Sequence, residues 1–279
     1  MNTFLNRIEH PALRSTISSS KNEKIKKIIK FQKRIGRDRS DYIVIDSSRE
    51  IARALENKVI IDELYYCPEL IRNEETLQLF NKLSKSIPFV FELDLDVFTK
   101  ICYKNNPDGL LITGKFSAKA LSSIDFKKDN IILIIDGIEK PGNLGALLRT
   151  ADGAGVDYIV SVNSVVNYRN PNVIRASTGV IFKGNFIETT ESELIKYLKL
   201  NNYRIITATP HANNLYHQID YKGKIAMIVG SEAFGVSKSL EKESDISVVI
   251  PMKGYADSLN VHQSATIVLY EALKQRSGF

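Results

Sequence analysis

Short, nearly unbroken apolar runs recur through the second half of the chain: IILIID at 131–136, YIVS at 158–161, GNFIE at 184–188, YRIITA at 203–208, KIAMIVG at 224–230 and ISVVIP at 246–251. Runs of this kind lack the in–out alternation of a half-wet strand. They are expected where helices cover both faces of a sheet. Helical patterns lie between and after them, at about 143–154, 191–199 and 261–275. Strands alternating with helices in this way predict an α/β fold with a parallel sheet. The first half repeats the alternation on a smaller scale. A basic capped helix, NEKIKKIIKFQKR (22–34), should bury Ile25, Ile28 and Ile29 on one face. Strands are expected at 42–46, 59–67, 88–93 and 109–114, and helices at 49–57 and 75–85.

The predicted boundaries are a flexible lead over 1–20, a smaller α/β domain over 21–116, a linker over 117–129 with little apolar periodicity, and a larger α/β domain over 130–279. The 279 residues are 43% hydrophobic and 25% charged, which excludes a wholly disordered chain. No apolar stretch approaches the ~20 residues that a membrane helix needs. The first fifteen residues hold no apolar segment of the secretory type. Cys67 and Cys102 form neither a disulfide framework nor a zinc pattern and suit a reducing cytoplasm, so a cytoplasmic protein without metal is expected. The net charge of +6 is uneven: residues 1–39 carry eleven Lys and Arg, among them Lys24, Lys27, Arg34 and Arg37, against three acidic residues. A basic arm on a near-neutral body is either a footprint for nucleic acid or a solvated helix face.

Several familiar signals fail. Gly109–Lys115 matches part of a phosphate-binding loop, but Phe116 replaces the required Ser/Thr, and the middle residues are strand formers. No G-x-G-x-x-G follows a strand. His10, His211, His217 and His262 lack metal-ligand spacing.

Three glycine-bearing corners follow strands, where open α/β sheets place their ligands. In DGIEKPGNLGALLRTADGAG (136–155), Asn143 is a candidate N-cap and Arg149 sits in an otherwise apolar helix, as a site residue or a snorkelling surface cation. In IVGSEAFGVSKSL (228–240), a strand breaks at Gly230, Gly235 permits positive φ, and Glu232 is either a site carboxylate or a helix cap. In IPMKGYADSLNVHQSATIVLYEAL (250–273), Ser258 and Asn260 are caps or site residues, and Leu259 between them could line a pocket for a flat ring.

Together the corners match N-x-x-x-x-x-R-T (Asn143–Thr150), G-S-E-x-x-G (Gly230–Gly235) and I-P-M-x-G-x-x-x-S-L-N-V (Ile250–Val261). In that order and spacing they resemble the SpoU/TrmH-type RNA ribose methyltransferases of the SPOUT superfamily. The Arg175–Gly179 stretch, RASTG, and the C-terminal tail look closest to the avilamycin-resistance subgroup acting on large-subunit rRNA. His262 and Gln263 depart from the usual motif, leaving His262 as an RNA contact or a cap. The resemblance implies a C-terminal SPOUT domain with a trefoil knot, and an N-terminal RNA-binding domain like a ribosomal protein. It implies S-adenosylmethionine as cofactor, a homodimer, and methylation of a ribose 2′-hydroxyl, in 23S rRNA first and tRNA as the alternative. A non-catalytic RNA-binding protein on the same fold is a third reading. By position, Asn143, Arg149, Glu232, Ser258 and Asn260 would be catalytic; Ala208, Gly230, Gly235, Ile250, Met252 and Leu259 would hold the cofactor; Arg175 and Ser177, with Lys24, Lys27, Arg34 and Arg37, would meet RNA.

Overall fold

The computed structural model describes residues 7–8, 14–34, 40–125 and 130–278. They form two compact units.

The first unit takes residues up to Ser117 together with Arg169–Phe182. Its sheet opens with β1 (Arg14–Ile17), a strand inside the stretch expected to be a flexible lead. RSTI is too short and too polar to be read as a strand alone; it forms by parallel pairing along β4, Arg14 opposite Val90 through Ile17 opposite Leu93. Helix α1 (Glu23–Arg34) follows and buries Ile25, Ile28 and Phe31, while Ile29 is only partly covered. Next come β2 (Tyr42–Ile45), α2 (Ser48–Glu56), β3 (Ile60–Tyr66), α3 (Glu74–Ser86), β4 (Phe89–Leu93), α4 (Leu95–Ile101) and β5 (Leu110–Lys115). The strand order is β1-β4-β3-β5-β2, with β5 antiparallel to both β3 and β2. The Gly109–Lys115 segment is therefore strand for most of its length. One face of the sheet packs under α1 and α4 around Tyr65, Phe91, Phe98 and Leu111.

In the second unit, Ala118–Tyr168 with Lys183–Phe279, β6 (Ile131–Asp136) is buried at every position. Helix α5 (Pro141–Gly153) leads to β7 (Tyr158–Val162). After α6 (Pro171–Ala176), which groups with the first unit, come β8 (Phe186–Glu188), α7 (Glu191–Leu200), β9 (Arg204–Ala208), β10 (Asn214–Leu215), β11 (Ile225–Val229), α8 (Lys238–Lys242), β12 (Ile246–Val249) and α9 (Val261–Ser277). The seven strands run in the order β10-β12-β9-β11-β6-β7-β8, and every pairing is parallel. Non-consecutive neighbours leave the ends of β9, β11 and β12 side by side, as a switch in strand order does. Helices cover both faces, which accounts for the continuous apolar runs.

Residues 169–182 fall within the stretch expected to form the larger domain but pack with the first unit. Arg53 on α2 donates to the Thr178 hydroxyl at 2.7 Å and to the Thr178 carbonyl. Gly179 has φ +80°, a left-handed conformation that favours glycine, and a Cβ there would lie close to Arg53 Cβ, at 3.1 Å.

Candidate active site

The ends of β9 and β11, with the loop that leads into α9, surround a cavity of about 360 Å³, within the range usual for a small-molecule site. Its wall includes Ala208, Gly230, Glu232, Gly235, Ser258 and Leu259. Ile250, Met252 and Val248 line a smaller adjoining pocket, which shares Ala208, Ser258 and Leu259 with the first. Every residue expected to hold a cofactor thus lies in one of two adjoining pockets.

The loop after β11 is shaped by its glycines. Ser231 and Gly235 exchange backbone hydrogen bonds at 3.0 Å in both directions, and Gly235 sits at φ +69°. The hairpin presses back on Gly230 so closely that a Cβ there would lie 2.1 Å from the Gly235 carbonyl carbon. A backbone neighbour cannot yield as a side-chain tip can, so Gly230 is required sterically. The loop is anchored from β6: buried Asp136 accepts from the Ser237 amide at 2.6 Å and from Asn163 at 2.8 Å. The motifs do not single out this anchor, although an Asp closing an apolar strand beside a glycine is its visible signal.

Beside the cavity, Glu232 accepts from Asn143 Nδ2 at 2.9 Å and from Lys140 Nζ at 2.5 Å. Asn260 Nδ2 donates to Asn143 Oδ1 at 3.5 Å, so three side chains from α5, the β11 loop and the start of α9 form one chain of contacts. The hydrogen bond from Lys140 outweighs burial, and with Asn143 it holds the Glu232 carboxyl below its ordinary range. Lys140 itself is raised by the same bond. Neither motif nor spacing marks Lys140.

Asn143 is not the N-cap expected of it. The helix starts earlier, at Pro141, with Lys140 as the cap residue; proline's fixed φ suits the first helical position. That leaves the Asn143 side chain free for Glu232. Asn260 does cap its helix, accepting from the His262 amide at 3.1 Å in a capping box with Gln263. His262 lies against the cap, its Nδ1 2.7 Å from Asn260 Oδ1. Ser258 caps nothing; it sits on the exposed loop Pro251–Ser258. Arg149 lies six residues beyond Asn143, about 9 Å further along the helix axis. It is exposed, lines neither pocket, and has no hydrogen-bond or ion-pair partner among the described residues.

The residues expected to meet RNA divide. Arg175 is exposed. Ser177 is corrected: it is 0% exposed, and its hydroxyl donates to the Ile174 carbonyl at 2.9 Å, which closes the end of α6. Lys24 is paired with Glu63 and lies 4.8 Å from the Phe91 ring centroid, so its charge is used within the fold. Lys27 is exposed and sits 4.5 Å over Tyr42. The Arg34 side chain and Arg37 lie outside the described residues.

The model of the SpoU rRNA Methylase family matches residues 130–270, and the MRM3-like substrate binding domain matches residues 22–112. The 23S rRNA (guanosine(2553)-2′-O)-methyltransferase RlmP of Bacillus subtilis is 26% identical over 254 residues, or 91% of this chain and 97% of that protein. A solved RNA 2′-O ribose methyltransferase is 34% identical, with TM-score 0.81, over 95% of this chain and all (100%) of that one. AviRb from Streptomyces viridochromogenes, a SpoU methyltransferase solved in complex with AdoMet, shares the fold at 21% identity and TM-score 0.79, covering 92% and 99%. With its three motifs gathered at the strand ends of a parallel sheet, this chain belongs to the SpoU rRNA methylase family.

Proposed function

We propose that the protein is an S-adenosylmethionine-dependent methyltransferase acting on a ribose 2′-hydroxyl in 23S rRNA. The observation that carries this reading is the hydrogen-bonded chain Glu232–Asn143–Asn260 beside a cavity walled by the ends of β9 and β11 and the loop that leads into α9. The two adjoining pockets suit the cofactor: Leu259, which lines both, and Ile250 in the smaller one can flank an adenine, and backbone amides and carbonyls of the glycine loops can meet its edge and a sulfonium cation. When bound, it supplies an activated methyl group.

The chain's own residues must then position a hydroxyl and stabilise the charge that develops on it. Glu232, ionised and pinned by Lys140 and Asn143, is an acceptor that orients rather than a proton donor. Arg149 acts as a cation. Neutralising an arginine at pH 7 costs roughly 8 kcal/mol, so a guanidinium serves better as a bidentate clamp on an RNA phosphate and as a partner for the developing alkoxide. The proton passes to phosphate or water. The exposed position of Arg149 supports completion of the site by a second copy of the chain in a homodimer.

The 2′-hydroxyl restricts the substrate to RNA. Incubating the protein with labelled cofactor and unmodified transcripts tests the assignment. Label should enter large-subunit rRNA and be absent from tRNA; labelling of tRNA alone overturns the rRNA assignment.

A further inference from the structure

Helix α4 ends at Ile101, and the segment after it is held from beneath. Asp46, 7% exposed, accepts from the amides of Tyr103 and Lys104 at 2.5 and 2.7 Å. Farther along, Asp108 accepts from the Ser48 amide and hydroxyl at 3.1 and 2.8 Å. This double anchoring fixes the backbone of a loop whose first aromatic, Tyr103, is left 42% exposed. The RASTG stretch is fixed beside it by Arg53, which grips Thr178. The two segments meet at the surface: the Arg175 guanidinium lies 5.6 Å from the Tyr103 ring centroid, Asn172 accepts from Arg175 at 2.9 Å, and Asn172 Nδ2 donates to the Tyr103 hydroxyl at 2.5 Å.

Nothing in this cluster is needed to fill a core. A rigid, exposed phenol beside a guanidinium, on a backbone pinned from below, is costly to order and exposes aromatic surface to water. Unpaired RNA bases are bound on such platforms, by stacking on aromatic rings and arginine planes. We propose that Tyr103, with Arg175 and Asn172, forms a subsite for an unpaired nucleotide of the RNA substrate, the base stacking on Tyr103 and Arg175 contacting the adjoining phosphate. The proposal rests on the RNA-methylating function above. Asp46 acts as a positioning residue, holding the backbone that carries the ring.

Tyr103→Ala and Tyr103→Phe separate stacking from fold maintenance. Each is measured for binding to an unmodified large-subunit rRNA transcript, for S-adenosylmethionine binding by calorimetry, and for Tm. Stacking predicts that Tyr103→Ala binds the transcript about tenfold more weakly, equivalent to about 1.4 kcal/mol. Tyr103→Phe, which keeps the ring and loses only the hydroxyl, should stay within twofold of wild type. Cofactor affinity and Tm should be unchanged in both. Wild-type affinity in Tyr103→Ala overturns the subsite, as does a phenylalanine variant as impaired as the alanine one. A wild-type protein that binds the transcript but transfers no methyl would fault the catalytic reading and leave the subsite to be decided by the same affinities.

Discussion

In the seven-stranded sheet the polar groups of the candidate site gather beyond the strand ends, while in the five-stranded sheet a carboxylate sits within the strand fabric. Asn143, Glu232 and Asn260 reach one another from a helix start, a glycine hairpin and a helix cap. Glu63 instead lies on β3, with its side chain 16% exposed. It accepts from the buried Tyr65 hydroxyl at 2.7 Å and from Thr113 at 3.0 Å, and pairs with Lys24. Burial pushes the Glu63 carboxyl up, but the hydrogen bonds from Lys24, Tyr65 and Thr113 together outweigh it and leave it lowered. The first arrangement leaves polar groups at the mouth of a cavity, available to a ligand. The second uses them to knit a sheet to α1. Damage to one should therefore be silent in the other.

The largest break is expected at Arg149. Arg149→Ala should reduce methyl transfer about 10³-fold, the upper range for removing one preorganised charge donor. Cofactor affinity and Tm should not change, since the exposed guanidinium supports neither. In Arg149→Lys the rate should remain low and should not climb as pH rises toward the lysine range. A lysine variant that recovers activity as it loses its proton would make the residue a base.

A smaller effect is expected from the other sheet. Glu63→Gln should lower stability by about 1 kcal/mol, by weakening the hydrogen bonds of a largely covered carboxylate, and leave cofactor binding untouched. Because the folded carboxyl is lowered, its contribution is complete above its ordinary value of 4.5 and is lost as pH falls through the folded value. The gap between wild type and variant, followed by thermal melts, should thus close in acid. A gap constant from pH 7 to pH 3 would show that the carboxylate's charge does no stabilising there.

The second sheet and its corners were legible because their constraints are local. A strand covered on both faces must be apolar throughout, and a hairpin pressed onto Gly230 admits no side chain, so both leave marks in a few consecutive residues. The cap at Asn260 followed for the same reason. Other features rest on distant pairings. The strand character of β1 comes from its register on β4. The placement of residues 169–182 depends on Arg53, more than a hundred residues away in sequence. Helices α4 and α6 are only 7 and 6 residues long, too short for a clear period. Ser177 reads as an exposed loop hydroxyl until α6 is seen to end over it.

Whether the strand-end loops make one pocket for S-adenosylmethionine is tested most directly by calorimetric titration of the cofactor into wild type and Gly230→Ala. Wild type should bind, and the variant, whose new Cβ must displace the backbone of Gly235, should bind at least a hundredfold more weakly while its far-UV circular dichroism stays that of wild type. Equal affinity in the two proteins, or no binding by wild type, would contradict the single-pocket reading.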